Sequence, residues 1–208
     1  VDDPPVDDLL ARDTTLRPVP LVPEIALHTA DDVISLWEHT GTTDPPFWAF
    51  PWAGGQALAR HVLDHPATTA GRRVLDLACG SGLVAIAAAR TGAHVTANDV
   101  DPLATTATTR NAAANAVDLT VLTGDLLDTD PDTDVVLAGD VFYDRDMAAR
   151  VLPFLLRAHT RGATVLVGDP QRAHLPRDRF TEVAVFQVPV SRDLEGRDVR
   201  TTTVWRPR

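Results

Sequence analysis

The 208 residues contain no lysine: all 19 basic side chains are arginines, set against 29 acids for a net charge of −10. A nucleic-acid binder shows a basic face, so that partner class is not expected. No apolar run approaches the roughly 20 residues that a membrane span needs, and a membrane partner is not expected either. Cys79 is the one cysteine. It excludes a disulfide framework and suits a reducing, cytoplasmic setting. The opening "VDDPPVDDLLARD" has neither the basic n-region nor the apolar h-region of a secretory signal. Histidines are scattered. His61 and His65 share a helical face at i, i+4, but Val62 stands where a zincin carries glutamate, so a solvated helix face is expected there and no metal.

What charge there is lies unevenly. Residues 1–45 hold ten acids against two arginines, and residues 46–208 hold nineteen against seventeen. Such an acidic front end fits a solubilising tail, or a surface that steers a basic protein partner. The chain length suits one domain with a substantial core, favoured as a monomer. Residues 1–15 are expected to be a disordered acidic tail. Residues 16–208 then form a single domain whose first part, 16–52, adds an accessory strand and helix. "LRPVPLVPEIALH" is extended and punctuated by proline, as an edge strand or hairpin is. A short helix is expected over 30–39 with Val33, Ile34 and Trp37 on one face, and another at roughly 54–65.

From residue 72 short apolar runs alternate with helical stretches, the pattern of βαβ units and a parallel sheet. Strands are expected near 73–78, 94–98, 119–123, 133–139 and 163–168, and helices near 82–91, 102–115 and 145–159. Asp101-Pro102 is a good helix start, with a capping carboxylate and proline at the first helical position. "TEVAVFQVPV" and "RTTTVWR" alternate with period two and read as a terminal antiparallel pair. The fold class is α/β: a doubly wound, mostly parallel seven-stranded sheet closed by an antiparallel hairpin.

"RVLDLACGSGLVAIAAARTGA" runs from strand through a tight turn at Gly80 and Gly82 into a helix of small residues. Glycines there let a backbone approach a ligand. The spacing Gly80-x-Gly82-x-x-Ala85 also fits a dinucleotide fingerprint and does not choose a cofactor alone. Asp76 chooses. A pyrophosphate would meet its carboxylate at close range in a partly dry cleft, whereas a ligand carrying ammonium and sulfonium groups would be welcomed. S-adenosylmethionine is such a ligand, leaving S-adenosylhomocysteine as product. Asp99, at the next strand end, is placed to accept bonds from ribose hydroxyls. Asp125, after the third strand, is placed to meet the adenine edge. Cys79 reads as a small filler of the turn.

"VLDLACGSG" resembles the first motif of class I methyltransferases. "PPFWAFPWAGGQALAR", "ANDVDPLA", "GDVFYD", "VGDPQR" and "TTTVW" occur in the same order in the electron-transfer flavoprotein β-subunit lysine methyltransferases, and the similarity runs from about Leu21 to Trp205. "CGSGLVAIAAARTGA" is also similar to the ribosomal protein L11 methyltransferases, which are expected to carry an asparagine-led loop in place of "GDVFYD". The resemblance implies a cofactor site at Trp52, Gly54, Gly55, Gln56, Asp76, Ala78, Gly80, Gly82, Asp99, Val100, Asp125, Leu126 and Asp140. Trp52 and the Gly54–Gln56 segment would line the methionine end. It implies a protein substrate such as the flavoprotein β subunit.

"GDVFYD" closes the fourth strand, beside where the methyl group would emerge. Asp140 as the base that deprotonates lysine would face reference pKa values of about 3.9 and 10.4, an uphill transfer of roughly 9 kcal/mol. Finding a neutral lysine at pH 7 costs only about 4.6 kcal/mol by the same scale, so the proton leaves to water. Asp140 is therefore expected to orient the amine and stabilise the developing ammonium. Phe142 and Tyr143, with Trp48 or Trp52, would wall the channel and offer cation–π faces. The competing readings are a small-molecule N-methyltransferase, an NAD-dependent oxidoreductase, which Asp76 disfavours, and a catalytically silent binding module.

Overall fold

Asp101 accepts a hydrogen bond from the Leu103 N–H, and Pro102 opens a helix, as the capping rule requires. Local chemistry of this kind sets most of the element boundaries in the computed structural model, which describes residues 12–30, 32–40, 42 and 45–208. In chain order they are β1 (Thr14–Val19), β2 (Val22–Ala30), α1 (Val33–Thr40), α2 (Ala53–Asp64), β3 (Arg73–Leu77), α3 (Leu83–Arg90), β4 (His94–Asp99), α4 (Pro102–Ala114) and β5 (Thr120–Thr123). There follow β6 (Val135–Gly139), α5 (Arg145–Thr160), β7 (Thr164–Asp169), β8 (Phe180–Pro189), the short α6 (Arg192–Glu195) and β9 (Val199–Pro207). The five strands and three helices expected between residues 73 and 168 are all present. The expected tail 1–15 is only partly described: residues 1–11 lie outside the described residues, and Thr14 and Thr15 already pair with Ala30 and Thr29 in the β1–β2 hairpin.

Seven strands form one sheet in the order β5-β4-β3-β6-β7-β9-β8. β3 to β7 run parallel, while β9 lies antiparallel to both β7 and β8. The chain leaves β3 towards one edge and returns to β6 on its other side, so the topological switch lies between β3 and β6. Ligands of doubly wound sheets bind outside the strand ends at that point. Alternate strand residues face opposite layers. Val74, Val95, Val135, Leu137 and Leu166 pack with α2 and α3, whereas Leu75, Val136, Val165 and Val167 pack with α5 through Val151, Phe154 and Leu155. No helix intervenes between β5 and β6.

Two elements sit differently from expectation. In α1 the buried residue is Leu36, packed against Trp48, while Ile34 is 67% exposed and Trp37 partly exposed. One leucine, not the anticipated Ile34–Trp37 face, docks this short helix; the Val33 side chain is not described. In α2, His61 is buried and stacks on His65 at 4.4 Å between centroids, so the expected solvated face is not what forms. Burial depresses the His61 pKa. Among the described residues, no three metal-ligating side chains group together, and no helix is long and apolar enough to cross a membrane.

The position of α2 depends on glycine. A Cβ on Gly168 would fall on the Gly54 carbonyl oxygen, one on Gly54 would fall on the Gly168 carbonyl oxygen, and one on Gly139 would stand 2.9 Å from the Gly55 Cα. The first turn of α2 thus rests on the ends of β6 and β7 with no side chain between them. Gly168→Ala should destabilise the protein by about 3 kcal/mol or more through this overpacking, read as a lower urea midpoint; an unchanged midpoint would show that the contact is looser in solution.

Candidate functional site

β3 ends in a loop in which Ala78, Gly80 and Gly82 all take left-handed backbone, at φ +55°, +53° and +78°. Side chains of α4 hold the loop carbonyls. Thr108 donates its hydroxyl to the Gly80 carbonyl at 3.1 Å, and the Asn111 amide donates to the Ser81 carbonyl at 2.8 Å. Carbonyls pulled towards α4 and N–H groups at a helix start make a backbone concavity at the switch point. Trp48 lies over it, its Cα 3.9 Å from where a Gly80 side chain would begin.

Two carboxylates flank the loop. Asp76, at the end of β3, is buried and accepts a hydrogen bond from the Ala85 N–H at 2.8 Å. Burial, with Asp99 nearby as a lesser cause, pushes its pKa up to about 8. Asp99 closes β4. It accepts from the Gly80 N–H at 2.9 Å and the Asp101 N–H at 3.1 Å, and burial raises its pKa also. Each carboxylate oxygen can accept more than one bond, so Asp99 both ties the loop to β4 and keeps capacity for hydroxyl donors. No basic residue occurs from Asp76 to Ile86. An anionic diphosphate would find two acids and no cation here; a cationic nucleoside would relieve their mutual repulsion. The residues fit the cationic ligand. Cys79 is a buried filler of the turn, its Sγ 3.4 Å from the Thr108 hydroxyl, and burial lifts its pKa well above the usual thiol value. Val100, 66% exposed, follows Asp99 at the rim. Leu126 is half-buried against the α5 layer.

Across the switch point stands Asp140, just beyond β6. It is nearly buried, has φ +56°, and is held on both oxygens: the Gly55 N–H of α2 donates to Oδ2 at 3.1 Å, and Arg172 Nη2 donates to Oδ1 at 3.0 Å. Burial raises its pKa, and Arg172 is the principal opposing influence. Arg172 also bonds Glu195 Oε1 at 2.9 Å and lies 5.9 Å from the Trp52 ring centroid. Asp140 is not the cap of α5. Asp144 fills that post, accepting from the Asp146 and Met147 N–H groups.

The aromatic residues divide between core and rim. Tyr143 is 47% exposed and lies 5.3 Å from Phe47 with the rings tilted at 46°, and Phe47 meets Trp52 at 5.9 Å; the Trp52 indole N–H donates to the Phe47 carbonyl. This trio, with Arg172, lines the approach to Asp140. Three expectations are corrected. Phe142 is fully buried and packs edge-on against Phe180, because residue 142 points into the α5 layer; it walls no channel. Trp48 is likewise core, packed with Leu36, Ala104 and Ala107. Gln56 is buried with its amide wholly engaged by backbone, accepting from the Leu21 N–H and donating to the Pro51 and Pro189 carbonyls. It braces the β1–β2 hairpin against β8 instead of facing a ligand. Gly54 is thin for the sake of β7 and Asp140, whereas a Cβ on Gly55 would meet only Leu83 and Val84 at ordinary contact distance. Asp125 is exposed and already bound, by the Leu127 N–H and by Arg150 at 2.7 Å, which lower its pKa. It stands at the edge of the site as an ion-paired turn residue.

Asp169, Arg172, Glu195 and Asn111 were not among the sequence candidates. Asp169 obeys the same rule that singled out Asp76, Asp99 and Asp140, an acid at a parallel-strand end, and was legible by it. Glu195 sits in a turn-length helix remote in sequence and has no such signal. An open groove lies elsewhere, beside β3 to β5 and lined by Arg73, His94, Leu122 and Pro131. Its charged rim is closed by surface ion pairs of Arg73 with Asp132 and Asp134, and none of the clustered acids of the switch point lines it.

A ribosomal protein L11 methyltransferase family model matches residues 57–141. The chain is 40% identical over 201 residues to the electron transfer flavoprotein β subunit lysine methyltransferase of Danio rerio, covering 89% of this chain and 76% of that protein. With its Mus musculus counterpart the identity is 37% over 196 residues, covering 89% and 77%. Among solved structures, magnesium protoporphyrin IX methyltransferase from Synechocystis, with S-adenosylmethionine bound, superposes with a TM-score of 0.55 at 16% identity over 74% of this chain and 80% of that one. Ribosomal protein L11 methylase from Lactobacillus delbrueckii does so with a TM-score of 0.51 at 23% identity over 73% and 76%. These two likenesses concern the fold.

The left-handed loop generates a test. Ala78 pays for its backbone where glycine would not, so Ala78→Gly should leave stability equal or raise it by up to about 1 kcal/mol. Ala78→Val should cost roughly 1–3 kcal/mol. Thermal unfolding of both variants checks this; equal losses for glycine and valine would mean the loop is not left-handed there.

Proposed function

From the premise that the chain belongs to the electron transfer flavoprotein β subunit lysine methyltransferase family, we propose that it methylates lysine side chains of that flavoprotein subunit, with Asp140 as the residue that orients the amine. It is an S-adenosylmethionine-dependent protein-lysine methyltransferase. The observation that carries the site assignment is the meeting of Asp76, Asp99 and Asp140 at one sheet edge, around a backbone concavity without a basic residue of its own. A folded protein substrate accords with the open aromatic rim of Phe47, Trp52 and Tyr143, and the acidic balance favours a protein over a nucleic acid. We place the enzyme in the cytoplasm as a monomer, a setting that a single buried thiol suits.

When bound, S-adenosylmethionine supplies a methyl group on a positively charged sulfur, which a neutral amine displaces. The rest falls to the chain. Asp76 would accept the cofactor's ammonium group, and Asp99 its ribose hydroxyls. Val100 and Leu126 would border the adenine. Trp52 and Tyr143 exclude water from the approach and present ring faces to a cation. Asp140, fixed by Gly55 and Arg172, points a carboxylate at the amine and stabilises charge as it grows on nitrogen. Its proton acceptor role remains unfavourable on the energies given above, so the lysine proton leaves to solvent before transfer.

Two outcomes are expected. Purified flavoprotein β subunit incubated with enzyme and cofactor gains methyl groups on lysine by mass spectrometry, and Asp140→Asn lowers kcat by roughly 10²–10³-fold while S-adenosylhomocysteine still binds. Full activity in Asp140→Asn would remove Asp140 from the reaction. The second outcome concerns pH. With Asp76 protonated below about 8 in the free protein, a cationic ligand must displace that proton, so cofactor affinity tightens as pH rises from 6 to 7.5, by up to about tenfold per unit. Calorimetry in buffers of different ionisation enthalpy should record proton release, and Asp76→Asn should abolish it; a pH-independent affinity in the wild type would place the ammonium elsewhere.

A further inference from the structure

Around Asp140 three carboxylates meet two guanidinium groups. Arg172 bridges Asp140 at 3.0 Å and Glu195 at 2.9 Å, and Arg200 holds the other Glu195 oxygen at 2.8 Å. Asp169, at the end of β7, accepts from the Arg172 backbone N–H at 2.7 Å. The groups facing Asp140 are therefore the Gly55 N–H from α2, Arg172 from the loop after β7, Asp169 from β7 and Glu195 from α6, the last tied to Arg200 of β9. With all five groups ionised, the cluster carries one negative charge in excess. That excess has an address: Asp169 is fully buried and its Oδ2 has no hydrogen-bond partner, and neither has the Arg172 Nε. A buried, unpaired carboxylate oxygen in a native site calls for an explanation, and a missing cation supplies one.

We propose that Arg172 is a placeholder for the substrate: its guanidinium occupies the acceptor-amine subsite between Asp140 and the Trp52 ring, and yields that place to the incoming lysine by turning towards Glu195 and Asp169. The inference rests on the lysine-methylation reading above. Three features of Arg172 are those an acceptor ammonium needs: a bond to Asp140, a position over an aromatic face, and burial beside excess negative charge. An arginine fills such a post without reacting, since a guanidinium stays protonated and has no free lone pair at neutral pH. A lysine there would itself be an acceptor. As a positioning residue, Arg172 also opposes the burial that raises the Asp140 pKa, favouring its ionised form and aiming it before substrate arrives.

The test compares wild type, Arg172→Gln, Arg172→Lys and Glu195→Gln for S-adenosylhomocysteine affinity and for kcat/KM against pH with the flavoprotein β subunit. In the wild type kcat/KM should rise about tenfold per pH unit below the lysine pKa, because only the neutral amine reacts. In Arg172→Gln the acid side should steepen towards about a hundredfold per unit, as Asp140 protonates over the same range. Glu195→Gln, a second handle should Arg172→Gln not fold, removes the excess charge and leaves Asp140 the one carboxylate bonded to the Arg172 side chain; the acceptor KM should rise about tenfold with kcat little changed. Arg172→Lys should restore the single slope and acquire a methyl group at position 172 when incubated with cofactor alone, a result that needs no partner protein. Identical slopes in the wild type and Arg172→Gln overturn the proposal, as does an unchanged KM in Glu195→Gln. If instead the wild type leaves the flavoprotein subunit unmodified while Arg172→Lys methylates itself, the substrate assignment fails and the placeholder stands.

Discussion

The site depends on one contact, the first turn of α2 laid directly against the ends of β6 and β7. Because Gly54, Gly139 and Gly168 carry no side chains, the Gly55 N–H reaches the Asp140 carboxylate, and that bond holds Asp140 in a left-handed backbone that non-glycine residues adopt uncommonly. Asp140 in turn anchors Arg172, which anchors Glu195 and, through it, Arg200 of β9. A helix start, two parallel strand ends and the terminal hairpin are thereby tied to a single carboxylate. Strain is gathered here as well. Of the four non-glycine residues with positive φ among those described, Ala78, Asp140 and Gln171 lie in the loops after β3, β6 and β7. Strained backbone persists where its surroundings over-determine it, and such places are commonly functional.

Electrostatics divides the two halves of the cleft. On the β3–β4 side Asp76 and Asp99 have backbone donors and no cation, and both are driven towards protonation by burial. On the β6–β7 side Asp140 has a guanidinium partner, while Asp169 beside it is pushed up to about 6, again chiefly by burial. The first half is suited to a ligand that brings positive charge. The second already holds a cation of its own. No lysine in the chain competes for the methyl group, so the acceptor amine is supplied from outside.

Much of the fold was legible. Apolar runs at strand length and small helix-forming residues between them located β3 to β7 and their helices, because a parallel sheet buried on both faces needs continuous apolar strands. The Asp101-Pro102 start was legible for the same local reason. At the site, acids at strand ends were the signal that singled out Asp76, Asp99 and Asp140, which the structure brings to one sheet edge, and the same signal applied to β7 reaches Asp169. What failed was assigning a direction to a side chain. Phe142 and Tyr143 are neighbours in "GDVFYD", yet one enters the core and the other the rim, and nothing in their types decides which. Gln56 has the donors and acceptor of a ligand-binding residue but spends them on three backbone partners, two of which, Leu21 and Pro189, are distant in sequence. Long-range hydrogen bonds have no local pattern to read.

The accessory hairpin follows from the same reasoning about unpaired backbone. Strand β2 pairs on one side with β1 only, and its other edge would expose N–H and carbonyl groups that cost free energy when buried. Helix α4 satisfies them with side chains: Asn115 accepts from the Ala26 N–H and donates to the Ala26 carbonyl, and Asn111 accepts from the His28 N–H. An asparagine amide carries the donor and acceptor of a peptide group, so α4 presents a substitute strand edge. Asn111 then spends its remaining donor on the Ser81 carbonyl in the glycine loop. One amide thus joins β2 to the concavity between Asp76 and Asp99. The hairpin is for this reason tied to the side of the cleft that holds Asp76 and Asp99, and a change in β2 that released Asn111 would free the loop carbonyl that helps to shape it.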